Sequence, residues 1–213
     1  MNNTLVCAAL AFALSLAAHA AGAQDGEPRW YGGLSLGQSK VSIDNSDLQV
    51  AGATASTISK DETDTAYKLF AGYRFNRNFA VEGGLTDLGK FKATNTVTAP
   101  AAGSASISVK SSGPHAEAVG ILPVNNFSFF GKAGLMYTMT KSSGSSSGAV
   151  VFTGNPNQEH SELNLKIGFG AGYDITRNVG VRVEYEHIFD VGDKDKTGEG
   201  DVRVISLGVL FRF

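Results

Sequence analysis

The sequence predicts an all-β fold, an eight-stranded antiparallel up-and-down barrel that spans a membrane with its strands. Three observations predict it. Apolar residues recur at every second position, segments of about ten residues with this alternation occur eight times, and the connections between them are alternately short and long. Beyond residue 23 no apolar run approaches the roughly 20 residues of a membrane-spanning helix.

The first 23 residues have the pattern of a signal peptide. An apolar run over 5–18 is followed by Ala21-Gly22-Ala23, a small-residue cleavage motif. The run is too short for a transmembrane anchor, so we expect cleavage and export through the Sec pathway. The only cysteine, Cys7, lies in this segment, and the mature chain is therefore expected to hold no disulfide. Residues 24–213 then form a single barrel domain.

Eight segments of the mature chain alternate between apolar and polar or small residues. The predicted strands are 30–42, 64–75, 79–90, 105–122, 127–141, 162–175, 179–189 and 201–213. The sixth strand alternates most regularly, with Leu165, Ile167 and Phe169 on its apolar face. The fourth contains Pro114, which predicts a bulge or an early end to strand pairing.

The connections between the predicted strands differ in length. Those after the second, fourth and sixth strands have three or four residues, and the others run from about 12 to about 22 residues, typical of short periplasmic turns and long extracellular loops. The loops near 43–63, 91–104 and 142–159 are rich in Ser, Thr, Ala and Gly. A low-complexity linker between domains would look similar, but strands flank each loop on both sides. One domain is therefore expected.

Charged residues near the middle of the strands decide which face points inward. They share the polar face and are four cations, Lys68, Lys132, Lys166 and Arg182, and four anions, Glu82, Glu117, Glu184 and Glu186. On the lipid face Lys or Arg at mid-membrane costs roughly 2–4 kcal/mol each. Inside the barrel the eight groups can neutralise one another. The polar face is therefore predicted to line the lumen.

Aromatic residues at the ends of the apolar faces suggest two interfacial girdles. Six lie on the short-turn side: Trp30, Phe75, Phe79, Phe127, Tyr173 and Phe213. Three lie nearer the long loops: Tyr67, Tyr137 and Tyr185. Aromatic belts at both interfaces are typical of outer-membrane barrels. Cross-strand aromatic pairs in a soluble sheet could place some of them equally well.

Four segments resemble the OmpA-like transmembrane barrels of the outer-membrane protein superfamily. They are Trp30–Gly37, Tyr67–Glu82, Val181–Tyr185 and Ser206–Phe213. The resemblance implies that the last of them is the signal read by the barrel-assembly machinery, with Leu207, Val209, Phe211 and Phe213 at alternate positions.

The resemblance also bears on the lumen. It implies that Glu82, Lys132, Arg182 and Glu184 occupy positions of lumenal salt bridges in family members. The chain has Gly172 where some members carry a further lumenal carboxylate, which puts a conserved gating pair in doubt. Because the sequence stops at Phe213, we expect no peptidoglycan-binding domain.

These patterns predict a protein of the Gram-negative cell outer membrane with a structural and surface-interaction role. It would support membrane integrity and contact ligands or host molecules through its loops. The expected partners are outer-membrane lipids, lipopolysaccharide and the assembly machinery. An alternative is a narrow channel for ions or small apolar solutes, because the lumen is charged. With 18 basic and 20 acidic residues and no basic block, nucleic acid is not an expected partner.

An enzyme is the least favoured class. Three groupings could supply a base and a nucleophile: His160-Ser161-Glu162, Ser112 with His115 and Glu117, and His187 with Asp190. Sequence neighbours on a strand point to opposite faces, so His160 and Ser161 should not converge. We therefore expect no catalytic residues, no cofactor and no metal site.

Overall fold

The computed structural model describes residues 30–41, 55–99, 101–148, 157–193 and 198–213. Nine strands occupy these ranges. They are β1 (Trp30–Val41), β2 (Ala55–Asp61), β3 (Thr63–Arg74), β4 (Phe79–Ala99), β5 (Gly103–Val124), β6 (Phe127–Gly148), β7 (Gln158–Asp174), β8 (Val179–Asp193) and β9 (Gly198–Arg212). None of the described residues belongs to a helix with the length and apolar character needed to cross a bilayer.

The strands close into a ring of eight. Strands β2 and β3 both pair with β4 and are separated only by Glu62, so they are two parts of one strand. The ring runs β4-β3-β1-β9-β8-β7-β6-β5 and returns from β5 to β4, and every pairing is antiparallel. The predicted eight-stranded antiparallel architecture is confirmed. Closure matters because a membrane offers no hydrogen-bond partner to an open sheet edge.

Two of the short turns are built alike. At the β3–β4 turn, the Asn76 side-chain oxygen accepts a hydrogen bond from the Phe79 N–H at 2.9 Å. At the β7–β8 turn, the Thr176 hydroxyl oxygen accepts one from the Val179 N–H at 3.0 Å. Side-chain acceptors of this kind stabilise turns by replacing a backbone partner. The similar sequences at 76–78 and 176–178 therefore give similar turns.

The strands on the long-loop side extend further than predicted. Parts of the three predicted loops are strand; these parts are residues 55–61, 91–99, 103–104, 142–148 and 158–159. Their hydroxyl side chains pair across strands, as in Thr94 with Ser106 at 2.9 Å and Ser104 with Ser147 at 2.9 Å. Such cross-strand pairs stabilise a sheet although the sequence resembles a linker. The predicted signal peptide, residues 1–23, lies outside the described residues.

Pro114 has a milder effect than predicted. It stays in register with Leu85 of β4, and β5 has no bulge at this point. In the pairing of β5 with β6, residues 113 and 114 have no partner, but the register is the same at Ser112 and at His115. Proline lacks an N–H, so it removes a hydrogen bond from one ladder while the second ladder holds the strand in place.

The apolar faces point outward, as the periodicity predicts. Leu165, Ile167 and Phe169 on β7 are 51%, 41% and 64% exposed. Aromatic rings at the short-turn end pack edge to face, with Trp30 and Tyr73 at 4.9 Å between ring centroids. On a soluble protein this surface would be unusually apolar, whereas lipid chains solvate it well.

Three register shifts interrupt the ladders near the long-loop end; one lies in the β2–β4 pairing at residues 55–56, and the other two are β-bulges at the lumen. The first bulge lies in β4 between Asp87 and Lys90, and the second in β8 between Ile188 and Val191. Strands β4 and β8 are four steps apart in the ring of eight, so the bulges face each other across the barrel. A bulge shifts the alternation by one residue and thereby turns two nearby side chains to the same face.

Candidate functional site

The lumen holds all eight of the predicted charged residues. They come from β3 to β8, and none is more than 6% exposed. We call this set the charge layer: Lys68, Glu82, Glu117, Lys132, Lys166, Arg182, Glu184 and Glu186. Its four cations and four anions give it no net charge. Buried charges of this number require dense pairing, because an unpaired one carries a large desolvation cost.

Glu82 binds three partners, two cations and one hydroxyl group. Its two oxygens accept hydrogen bonds from both terminal nitrogens of Arg182, at 2.8 and 3.2 Å. The Lys132 ammonium lies 2.6 Å away, and the Tyr31 hydroxyl donates to the same carboxylate at 2.9 Å. A fork-shaped guanidinium and a carboxylate make the strongest and most directional of such pairs. Removing Glu82 would leave two buried cations short of a partner.

The other charges continue the pairing around the barrel. Glu184 contacts Lys68 and Arg182, and it also lies 3.2 Å from the Lys132 ammonium. Glu186 bridges Lys68 at 2.7 Å and Lys166 at 3.0 Å. Each contact joins opposite charges on different strands, except that between Arg182 and Glu184 of β8. The network therefore ties together strands that do not pair through their backbones.

The Lys166 ammonium completes the network at its β5 side. It lies 2.5 Å from one oxygen of Glu117. The His115 imidazole is 3.8 Å from the same carboxylate oxygen, and its other ring nitrogen is 3.1 Å from the Thr86 hydroxyl. His115, one of the residues considered for catalysis, thus lines the lumen.

Aromatic side chains that the sequence analysis did not assign to the site support the cations. The Arg182 guanidinium lies 3.5 Å from the centre of the Phe70 ring, and the Lys132 ammonium lies 5.4 Å from that of Phe130. Cation–π contacts of this kind contribute about 0.5–2 kcal/mol. Both phenylalanines sit on the polar face of their strands, and this exception to the alternation is the signal that could have identified them.

Glycines opposite the charged residues provide room for the network. Gly72 is the cross-strand partner of Glu82, and a side chain at Gly72 would begin 2.4 Å from the Tyr31 ring. Gly170 is the partner of Glu184, and a side chain there would meet the Phe130 ring at 2.5 Å. These lumenal glycines therefore admit the large polar and aromatic side chains of the neighbouring strands.

An apolar cluster crosses the lumen on the long-loop side of the charge layer. We call it the outer apolar layer: Ala66, Leu88, Phe91, Met136, Ile188, Val191, Val202 and Val204. The two bulges supply half of it: Leu88 lies within the first bulge and Phe91 just beyond it, and Ile188 and Val191 flank the second. Leu88, Met136 and Ile188 are fully buried. Side chains from opposite walls thus meet in the lumen.

Polar side chains satisfy the backbone groups that each bulge releases. At the first bulge, the Gly89 N–H donates to Asp87 at 3.0 Å and the Leu88 carbonyl accepts from Ser39 at 2.6 Å. At the second, the Gly192 N–H donates to Glu162 at 2.5 Å, and the Asp190 carbonyl accepts from Asn164 at 2.8 Å. Both bulges are therefore held in the same way.

A second apolar cluster lies on the short-turn side of the charge layer. It contains Tyr31, Phe70, Ala80 and Val119, with Ile121, Phe130 and Leu210 packed against it. The order of the layers can be read along β3, where Ala66, Lys68 and Phe70 are successive inward residues. The lumen is therefore stacked as apolar, charged and apolar.

Of the residues considered for catalysis, the structure keeps His115 near Glu117 and His160 near Glu162. It separates Ser112 from His115, because the two lie three residues apart on β5 and so face opposite sides of the sheet. The His187 imidazole pairs with Asp201 at 3.1 Å, and His160 lies 3.7 Å from Glu162. Within the described ranges, no three His, Cys, Asp or Glu residues are grouped as a metal site would require.

The predicted assembly signal forms the end of the last strand. Leu207 and Phe211 of β9 face outward at 60% and 43% exposure. The Phe213 N–H donates to the Trp30 carbonyl at 2.9 Å, which joins the two ends of the described barrel. Val209 pairs with Leu34 of β1. The role of these residues in assembly remains a prediction.

Closed antiparallel strands, an apolar outer face and a charged lumen define a transmembrane β-barrel of the outer-membrane class. A family model described as "Outer membrane protein beta-barrel domain" matches residues 7–213, and the chain belongs to this family. The family places the protein in the outer membrane.

Solved barrels with similar folds include two with nearly complete coverage. Neisserial surface protein A is 15% identical, with a TM-score of 0.51 over 89% of this chain and 100% of that one. The outer membrane protein OprG of Pseudomonas aeruginosa is 14% identical, with a TM-score of 0.50 over 90% of this chain and 99% of that one. At these identities the similarity concerns the fold alone.

One curated relative is more similar in sequence but over a shorter stretch. An uncharacterized protein of Coxiella burnetii is 28% identical over 112 residues, which cover 43% of this chain and 42% of that protein. The match thus spans less than half the length of the relative. It adds no activity or ligand to the family assignment.

Proposed function

We propose that this protein is a structural barrel of the outer membrane whose lumen is closed, and that it presents its outer strands and loops at the cell surface. The observation that carries the proposal is the stacking of apolar, charged and apolar layers across the lumen. An eight-stranded barrel is only wide enough for side chains to fill it. Side chains fill it here.

The outer apolar layer argues most strongly against conduction. A hydrated ion entering from the outside would meet Leu88, Met136 and Ile188, which are fully buried and offer no polar replacement for its water. Behind them, every cation of the charge layer contacts a carboxylate. Passage would need both layers to rearrange.

The polar extension of the barrel supports a role at the surface. Strands β4, β5 and β6 continue beyond the outer girdle as a ribbon with outward Ser, Thr and Lys side chains. A hydroxyl-rich, hydrogen-bonded ribbon offers donors and acceptors to extracellular ligands at little ordering cost. We further propose outer-membrane lipids, lipopolysaccharide and the assembly machinery as partners, and export by the Sec pathway with cleavage after Ala23.

A narrow conduit is the second candidate, and the charge layer favours it. Ion pairs can exchange partners, and Lys132 already lies within 4 Å of three carboxylates, those of Glu82, Glu117 and Glu184. A small apolar solute could also pass the apolar layers more easily than an ion. This candidate requires the lumen to open at both levels.

Planar-bilayer recording on the refolded barrel tests the closed lumen. We expect no reproducible single-channel conductance from the wild type and measurable conductance from Leu88→Ala/Phe91→Ala, which removes two side chains of the outer apolar layer. Heat-dependent gel migration should show that both proteins are folded. Reproducible conductance from the wild type would overturn the closed lumen and favour the conduit.

A deletion strain tests the structural role. Loss of the protein should increase sensitivity to detergents and large antibiotics, and a version with exchanged outer loops should restore resistance without restoring surface binding. Unchanged envelope integrity and unchanged surface binding in the deletion strain would contradict the proposal.

A further inference from the structure

Three lysines stand side by side on the outer surface of the barrel. Lys90 of β4 is the cross-strand partner of Lys110 of β5, and Lys110 is in turn the partner of Lys141 of β6. Adjacent partner Cα atoms are about 4.5–5.5 Å apart, so three ammonium groups lie along one row. We call these residues the lysine row.

The lysine row lies just beyond the apolar band. On β4, Lys90 is the first outward residue after Asp87, the partner of Tyr67 in the outer girdle. On β6, Lys141 follows girdle residue Tyr137 by four residues, about 13 Å along the strand. With the usual strand tilt this corresponds to roughly 10 Å of height. The ammonium groups therefore lie at the level of the lipid headgroups.

Two of the three ammonium groups of the row form ion pairs within the described residues. Asp87 pairs with Lys110 at 3.1 Å, and Glu159 pairs with Lys141 at 2.6 Å. Lys90 has no ion pair within the described part of the chain. Like charges that are direct cross-strand neighbours destabilise a sheet. An external anion would remove this repulsion.

The opposite side of the barrel carries a similar arrangement. Arg203 of β9 lies between Lys40 of β1 and His187 of β8 as the cross-strand partner of both. Below it, Ile205 is 60% exposed and belongs to the apolar band. Cationic side chains thus follow the upper border of the apolar band on two sides. A site for a single soluble anion would need cations at one place only, whereas a surrounding lipid leaflet contacts both sides of the barrel.

We propose that the lysine row binds the phosphate groups of an anionic glycolipid in the outer leaflet. The lipid chemistry follows from the two adjoining surfaces, because the row attracts phosphate while Leu85 and Leu135 below it are about half exposed and can contact acyl chains. A phosphorylated glycolipid has both parts in one molecule. The inference rests on the proposed function only in placing the row at the outer leaflet.

Binding of bisphosphorylated lipid A to the refolded full-length mature barrel in neutral detergent tests the inference. The variant is Lys90→Gln/Lys110→Gln/Lys141→Gln, which keeps a polar side chain at each position and removes the charge. The control is Arg77→Gln/Arg177→Gln, which removes exposed charge from two turns at the other end. Parallel titrations use enzymatically dephosphorylated lipid A and inorganic phosphate. Heat-dependent gel migration verifies that each variant is folded.

We expect the row variant to bind bisphosphorylated lipid A roughly a hundredfold more weakly than the wild type, from the usual contribution of each lysine near an anionic surface. The control should stay within twofold, and dephosphorylated lipid A should bind the wild type as weakly as bisphosphorylated lipid A binds the row variant. Equal binding by wild type and row variant would overturn the inference. So would competition by inorganic phosphate at concentrations equal to the lipid, because the site would then recognise a free anion.

Conductance recorded on the same preparations separates this inference from the proposed function. A wild type that conducts ions and still binds lipid A more tightly than the row variant does would contradict only the closed lumen. A wild type that shows no conductance and binds lipid A no more tightly than the row variant does would contradict only the inference about the lysine row.

Discussion

The charge layer and the outer apolar layer fill neighbouring parts of one lumen by different physical means. In the charge layer each group depends on named partners at 2.5–3.2 Å, as Glu82 does on Arg182 and Lys132. In the outer apolar layer Leu88 and Ile188 depend on volume and shape, without directional bonds. A charge without its partner is costly, whereas an apolar group tolerates a neighbour of similar volume.

The two layers therefore have different roles: the charge layer holds the walls of the barrel in position, and the outer apolar layer closes the lumen. Ion pairs between strands such as β4 and β8, which share no backbone ladder, fix the position of opposite walls. The apolar layer excludes water and ions at the outer end. We therefore expect mutations in the charge layer to affect mainly stability, and mutations in the outer apolar layer to affect conductance as well.

The largest effect is expected from Glu82→Gln. The change removes one of the two carboxylates that pair with both of the buried Arg182 and Lys132 cations. The charge layer then keeps an uncompensated positive charge, and the free energy of unfolding should fall by about 3–5 kcal/mol. Urea unfolding in lipid vesicles measures it. The control is Glu159→Gln, which breaks an exposed pair with Lys141 and should cost no more than about 1 kcal/mol. Equal losses in the two variants would show that the buried network is unimportant.

Leu88→Ala should come next and distinguish the two layers. Removing this fully buried side chain should lower the free energy of unfolding by about 2–5 kcal/mol and also raise ion conductance. Leu88→Met, which preserves volume, should cost less than about 1.5 kcal/mol and leave the barrel silent. If Glu82→Gln conducts and Leu88→Ala does not, the seal lies in the charge layer.

Gly72→Ala tests the space that the network needs. The new methyl group would approach the Tyr31 ring at 2.4 Å and displace its hydroxyl from Glu82, with an expected cost of about 1–3 kcal/mol. Gly120→Ala is the matched control, because its nearest neighbour, the Gly131 carbonyl oxygen, is 4.0 Å away. The measurement is urea unfolding of both variants, and equal stabilities would contradict the packing argument.

The smallest effect concerns the first bulge and its pH dependence. Asp64 lies three residues beyond girdle residue Tyr67, outside the membrane span, and accepts hydrogen bonds from the N–H groups of Lys90 at 2.6 Å and Thr65 at 2.7 Å. These bonds hold the pKa of Asp64 below its ordinary value of 3.8. The stabilisation is therefore complete above that value and is lost as pH falls through the depressed pKa.

Asp64→Asn provides the test of this sign. At pH 7 the variant should be about 0.5–1.5 kcal/mol less stable than the wild type, and the difference should shrink as the pH falls through the depressed pKa of Asp64. Urea unfolding across that range measures it. A difference that grows on acidification would contradict the assignment.

Local pattern was sufficient for most of the fold. Alternation such as that along 162–175 predicted the strands, and the eight alternating segments predicted their number. The opposite charges on the polar face predicted that the apolar face points outward, because side-chain direction on a strand follows a period of two. The local pattern gave the wrong strand ends, because it predicted a loop for the Ser-rich stretch after residue 141. Whether a polar segment is a strand depends on a neighbour with free ladder positions, and β5 supplies that neighbour.

The sequence by itself determined a membrane barrel of eight strands with a charged interior and no net lumenal charge. Only the tertiary structure decided which charges meet, and that two opposed bulges bring Leu88, Phe91, Ile188 and Val191 into one layer. Partner choice and the phase shift at a bulge depend on the register between strands distant in the chain. Closure of the ring sets that register, and no local pattern contains it.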